Sequence, residues 1–75
     1  MRGTKVTDSK IIGQAVRLSR KQQGLTQADL SRLANTGVRF ISDLENGKED
    51  VSLSKVLSVA GALGLEIYVL NKWSD

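Results

Sequence analysis

TQADLSRLANTGVRFISDLENG, residues 26–47, is the stretch whose reading decides the fold. Thr26 followed three residues later by Asp29 is a capping-box pattern, in which the threonine oxygen accepts from a first-turn amide and the acid answers the cap's own N–H. Leu30 and Ala34 recur at helical spacing. Asn35, Thr36 and Gly37 then break the pattern with residues that tolerate turn geometry. A second short helix follows, with Phe40, Ile41 and Leu44 on one face and Arg39, Ser42, Asp43 and Asn46 on the other. Gly47 ends it in the manner of a helix C-terminal glycine. A helix this short does not hold itself together in water, so its apolar stripe must fasten it to a body while its polar stripe faces outward. That is the geometry of a recognition helix in a DNA major groove. It is equally the geometry of any small amphipathic helix in a bundle, and spacing alone does not choose.

Working outward, Asp8 is an N-cap for a first helix running to about Gln23. Ile12, Ala15, Val16 and Ser19 form its inner face, and Arg17, Arg20 and Lys21 form a basic surface. Gly13 inside that helix costs ~1 kcal/mol relative to alanine, which points to close helix packing. Gly24 stops the helix. Beyond the polar loop Lys48-Glu49-Asp50-Val51, Ser52 caps a fourth helix with Leu53, Val56, Leu57, Ala60 and Leu63 at core spacing, closed by Gly64. Leu65-Glu66-Ile67-Tyr68-Val69-Leu70 then alternates and is rich in residues that favour strands. A lone strand has unpaired edges, so the economical partner is the same strand of a second copy about a two-fold axis. A fifth helix is the competing reading. Residues 1–7 read as a mobile basic tail, with a DNA-following arm as the alternative. In the tail after Leu70, Trp73 either packs on the core or anchors a partner protein.

Composition narrows the function. Seventy-five residues with 40 % hydrophobic content allow one domain with a small core, near the size where a second copy commonly supplies missing stability. There is no Cys and no His, which removes disulfides, thiolate zinc sites and the usual nucleophiles and general bases. No enzyme activity, metal or cofactor is expected. No apolar run reaches the ~20 residues of a membrane span, and no signal-peptide pattern opens the chain, so the expectation is a cytoplasmic protein without a membrane partner. Net charge is +3, unevenly spread: residues 1–39 hold eight Lys/Arg against two Asp/Glu, and residues 40–75 hold three against six. A basic half can meet phosphates. Aromatics are scarce, which disfavours stacking on single strands and leaves duplex DNA as the better fit.

Thr26-Gln27, Leu30, Ile41 and Leu44-Glu45-Asn46-Gly47-Lys48 together resemble the signature of the Cro/phage-repressor helix-turn-helix family, over roughly residues 8 to 64. Arg39-Phe40-Ile41-Ser42-Asp43-Leu44-Glu45 and the chain's ending resemble its HipB-like antitoxin branch. Gly13, Val16 and Arg17 match the family's Gly-x-x-apolar-Arg pattern. The turn departs from it, with Asn35 at the usual glycine and Thr36-Gly37 at an apolar-polar pair. Asn tolerates left-handed geometry, and Gly37 places no side chain at the start of the recognition helix.

The resemblance implies an all-α fold, a small four-helix bundle with the helix-turn-helix at 8–64, to which our reading adds a C-terminal strand and tail at 65–75. It implies that Arg20 and Glu45 form a structural ion pair and that Gln27 fixes register against a phosphate. Val38 and Arg39 are the candidates for base readout, since Arg clamps guanine bidentately and Val meets a thymine methyl. Ser42 and Asp43 share their face, Asp43 either accepting from cytosine N4 or orienting Arg39. Gly37, Lys48 and Arg17 complete the expected DNA surface, and Leu65, Ile67, Tyr68 and Val69 the dimerisation surface. The implied function is a dimeric repressor on a palindromic operator, the antitoxin of a HipA-like serine/threonine kinase toxin, nucleoid-associated in a bacterial cytoplasm. A stand-alone phage or host repressor and a protein-interaction adaptor without DNA binding are the alternatives.

Overall fold

The computed structural model describes residues 3–73. Four helices follow in order: α1 Ser9–Gln22, α2 Gln27–Ala34, α3 Val38–Glu45 and α4 Leu53–Leu63. Three of them start where a side chain satisfies a free first-turn amide, α3 at Gly37 being the exception. The Asp8 side chain accepts from the Ile11 amide, Thr26 and Asp29 close a complete capping box, and Ser52 accepts from the Lys55 amide. Asn35 ends α2 in the left-handed region (φ 55°), where its short polar side chain is tolerated. α3 ends in a Schellman turn: Gly47 N–H donates to the Leu44 carbonyl and Lys48 N–H to the Asp43 carbonyl, with Gly47 at φ 81°.

α1 and α2 each pack against both α3 and α4. The core gathers at their meeting point, with Val16, Leu30, Ile41, Leu44 and Val59 fully buried. Burying a side chain of this size is worth roughly 1.5–3 kcal/mol, so Ile41 and Leu44 are the main fastening of the eight-residue α3. Gly13 explains itself in this packing. A Cβ there would collide with the Leu44 carbonyl oxygen and lie 3.2 Å from that of Glu45, so α1 crosses the end of α3 at a distance only glycine permits.

Several expectations change. α4 turns Val56, Val59, Ala60 and Leu63 inward, while Leu53 and Leu57 face solvent. Leu57 and Val59 lie about 200° apart, on opposite sides of the Val56, Ala60 and Leu63 stripe, and docking on α1 and α2 turns the valine side inward. Arg20 is buried and does not belong to the basic surface of α1. The C-terminal strand is not formed. Residues 65–70 lie outside any regular element, and no strand is present among the described residues. The reason is physical: a strand needs a partner for its backbone groups, and one chain holds no second strand. The competing fifth helix is absent too. Of this segment Leu65 tucks against the core, Ile67 is half-exposed, and Tyr68, Val69 and Leu70 stand in solvent. Trp73 is 85 % exposed, so it does not pack back on the core. Met1, Arg2, Ser74 and Asp75 of the expected tails lie outside the described residues.

Candidate nucleic-acid interface

α3 has two faces with different duties. Ile41, Leu44 and Glu45 point inward, while Val38 and Arg39 are exposed and Ser42 and Asp43 half-exposed. The hydrophobic contact of the inner face holds the helix, so the outer side chains are presented without supporting the fold. Asn46 donates to the Ser42 hydroxyl at 3.5 Å, a marginal bond. Asp43 faces Lys48 at 3.6 Å, so its acidic charge is answered by the lysine after the helix. Among the described residues Arg39 enters no ion pair, which leaves its guanidinium available to a ligand. Gly37 is the N-cap of α3, with no heavy atom within 4 Å of where a Cβ would stand. The start of the helix therefore has open space at this position.

Behind this face lies a buried polar knot. Arg20 Nε donates to Glu45 Oε2 at 2.6 Å and Nη2 to Oε1 at 2.9 Å, a bidentate fork in which Glu45's side chain is 2 % exposed. Arg20 Nη1 also donates to the Leu25 carbonyl at 2.8 Å. Gln27 Nε2 donates to Glu45 Oε1 at 3.2 Å. The Glu45 carboxylate thus ties the end of α3 to α1 and to the first residue of α2, and Arg20 carries the tie on to the α1–α2 turn. Burial alone would push the Glu45 carboxyl up. The hydrogen bonds from Arg20 and Gln27 and the charges of Arg20 and Arg17 outweigh it and hold the group below the ordinary carboxylate range. The Arg20 guanidinium is raised in turn, first by its hydrogen bond to Glu45, against the opposing effect of burial.

Sequence reasoning anticipated the Arg20–Glu45 pair but not that Gln27 is bonded into it. The structure brings Val38, Arg39, Ser42, Asp43 and Lys48 to one surface, with Gln27 and Arg17 at its edge beside Glu45. Leu65, Ile67 and Tyr68 lie elsewhere, in the wall of an apolar groove of about 590 Å³ that Val6, Ile12 and Ala60 also line; Val69 stands in solvent. Among the described residues there is no cluster of His, Cys, Asp and Glu able to hold a metal, and no helix long and apolar enough to cross a membrane.

A capped helix, a left-handed turn and a second helix with a free polar face make a helix-turn-helix, and the family match that follows makes the chain a DNA-binding transcriptional regulator. The helix-turn-helix family profile matches residues 16–70, and the chain belongs to that family. It is 48 % identical over 59 residues to the uncharacterized HTH-type transcriptional regulator y4mF of Sinorhizobium fredii, covering 79 % of this chain and 78 % of that protein. It is 38 % identical over 56 residues to the immunity repressor of Bacillus phage phi105, which covers 75 % of this chain but only 39 % of the repressor. Among solved structures, a chain of the HipA-HipB-O2-O3 complex superposes with a TM-score of 0.83 at 23 % identity, over 93 % of this chain and 99 % of that one. The restriction-modification controller protein C.AhdI of Aeromonas hydrophila superposes with a TM-score of 0.70 at 33 % identity, over 77 % and 88 %.

Proposed function

We propose that this regulator is a HipB-like antitoxin: a homodimer that represses its operon from a palindromic operator and neutralises a HipA-like serine/threonine kinase. The observation that carries the reading is the exposed apolar ending. Tyr68, Val69, Leu70 and Trp73 stand in solvent, where a monomer gains nothing from them, and the likeness in fold to HipB extends over 93 % of the chain. Two copies joined through Leu65, Ile67, Tyr68 and Val69 would cover much of that surface, and Trp73 would remain as an anchor for the kinase.

On DNA, Arg39 and Val38 read bases and Ser42 supports them. Asp43, balanced by Lys48, meets the groove without repelling phosphate. Gln27, held by Glu45 through one N–H, offers its second to the backbone, and Lys48 and Arg17 add phosphate contacts. A stand-alone repressor is the second reading, favoured by the 38 % identity to a phage immunity repressor. Selection of duplexes from a randomised pool, followed by co-purification with the product of the adjacent gene, tests both. A palindromic site and a kinase in the complex support the antitoxin. A palindromic site with no kinase beside or bound to it leaves the repressor, and no selected duplex overturns both.

A further inference from the structure

α1 holds four cations and no acid, whereas α2 and α3 together hold two cations against three acids. The two helices of the motif are therefore slightly acidic as a unit, and long-range attraction to a polyanion does not come from them. Some of their cations are also answered locally. Arg32 pairs with Asp29 at 2.7 Å, and Lys48 after α3 faces Asp43. Of the α1 cations, Arg20 is committed to Glu45. Lys10, Arg17 and Lys21 differ from all of these: each is exposed, and among the described residues none takes part in an ion pair.

Their position follows from three contacts that fix how α1 faces α3. Gly13 meets the Leu44 and Glu45 carbonyls, Arg20 grips Glu45, and the Lys10 backbone lies 3.2 Å from where a Cβ on Gly47 would be. With 3.6 residues per turn and Gly13 as zero, Arg20 falls at about −20°, Arg17 at about +40°, Lys10 at about +60° and Lys21 at about +80°. Val16 and Ile12, at about −60° and −100°, face the core. The three free cations thus share the solvent flank beside the seam with the recognition helix, next to the end from which Asn46, Gly47 and Lys48 emerge. Lys10 to Lys21 spans about 16 Å, the length of several phosphates along a strand.

We propose that α1, outside the helix-turn-helix motif, is the phosphate-binding ridge of this protein: Lys10, Arg17 and Lys21 take the DNA backbone bordering the major groove. They supply most of the sequence-independent share of binding, beside the backbone contacts of Gln27 and Lys48, and α3 supplies the readout. The inference rests on duplex DNA being the ligand. It divides affinity from specificity between two helices that meet at one seam.

The test uses the full chain with Lys10→Gln, Arg17→Gln and Lys21→Gln, singly and together. Glutamine is close to lysine and arginine in helix propensity, and the sites are exposed, so the fold is kept. Binding is titrated against salt on a duplex selected from a randomised pool and on an unselected duplex. Each substitution should make the slope of log K against log salt shallower by about one per bound subunit, hence by about two for a dimer. Affinity for the two duplexes should fall by the same factor, leaving their ratio unchanged. Arg17→Lys, which keeps the charge, should keep the slope, and Lys72→Gln on the C-terminal tail, outside the ridge, should not move it. A triple variant with the wild-type slope on both duplexes overturns the ridge, as does one that loses only the selected duplex. Wild-type protein that binds no duplex at low salt removes the DNA ligand beneath the proposal.

Discussion

Removing the Glu45 carboxylate should come near to unfolding the protein. In Glu45→Ala the Arg20 guanidinium, buried with its side chain 10 % exposed, loses both forked hydrogen bonds and keeps only the Leu25 carbonyl. Gln27 loses its acceptor as well. An exposed ion pair is worth ~0–1 kcal/mol, but stranding one partner of a buried pair costs ~3–5. The 2 % exposure of Glu45 places this pair in the second regime. A chain of this length has a total stability of roughly 4–11 kcal/mol, and each kcal/mol moves the melting temperature by about 4–8 °C. The expected result is therefore a fall of at least ~12 °C, read by circular dichroism. The double replacement Arg20→Met with Glu45→Leu should recover much of the loss, because the penalty lies in the stranded charge more than in the missing attraction. A Glu45→Ala protein melting within a degree or two of wild type would refute the buried-pair argument.

Arg39→Ala should weaken binding to the selected operator by ~1–3 kcal/mol and relax preference at one base pair per half-site; unchanged affinity and selected sequence would remove Arg39 as a reader. Gly13→Ala should destabilise by about 1–2 kcal/mol, since the clash with the Leu44 and Glu45 carbonyls exceeds the gain in helix propensity; a higher melting temperature would show that α1 moves aside freely. Truncation after Gly64 should leave a helical monomer with operator affinity reduced at least ~10-fold, because one half-site is a weak grip; a dimer by light scattering would place the interface elsewhere. Glu45 and Asp29 both have carboxyls held below their unfolded values of 4.5 and 3.8. Their stabilisation is therefore complete above those values and lost as pH falls through the lower folded ones. A melting temperature flat from neutral pH to below 3.8 would contradict this.

What could be read from the sequence was local. Asp8, Thr26-Asp29 and Ser52 announce helix starts because a cap acts within three residues of itself, and Asn35, Gly47 and Gly64 announce ends for the same reason. Gly13 signalled a close approach, though not to which carbonyls. The Arg20–Glu45 pair was legible only through family resemblance, since 25 residues separate its members. The bond from Gln27 to the same carboxylate depends on how three elements converge, and nothing in the spacing of those residues encodes that. Leu57 was misplaced because its hydrophobicity fits a core stripe as well as Val59 does, and helix docking decides between them. The ending at Leu65 to Leu70 alternates as a strand should, yet pattern does not provide a neighbour, and in a single chain the segment stays irregular. Arg17 and Lys21 are legible as part of a basic surface on α1, but that Arg20 leaves it and Lys10 joins it depends on where the seam with α3 lies.

The two faces of α3 carry a consequence for how such a protein can diverge. Ile41, Leu44 and Glu45 hold the helix, and none of the exposed positions Val38 and Arg39 takes part in that hold. Gly37 adds a vacant place at the helix start, with a backbone (φ −82°) any residue can adopt. Mutations on the outer face can therefore accumulate without eroding the melting temperature. If these positions read the target as proposed, a lineage can exchange one target sequence for another through folded intermediates, and an engineer can randomise 37, 38, 39 and 42 in a single library with little loss to misfolding. Inheritance of the scaffold and inheritance of the address are separate matters in this chain.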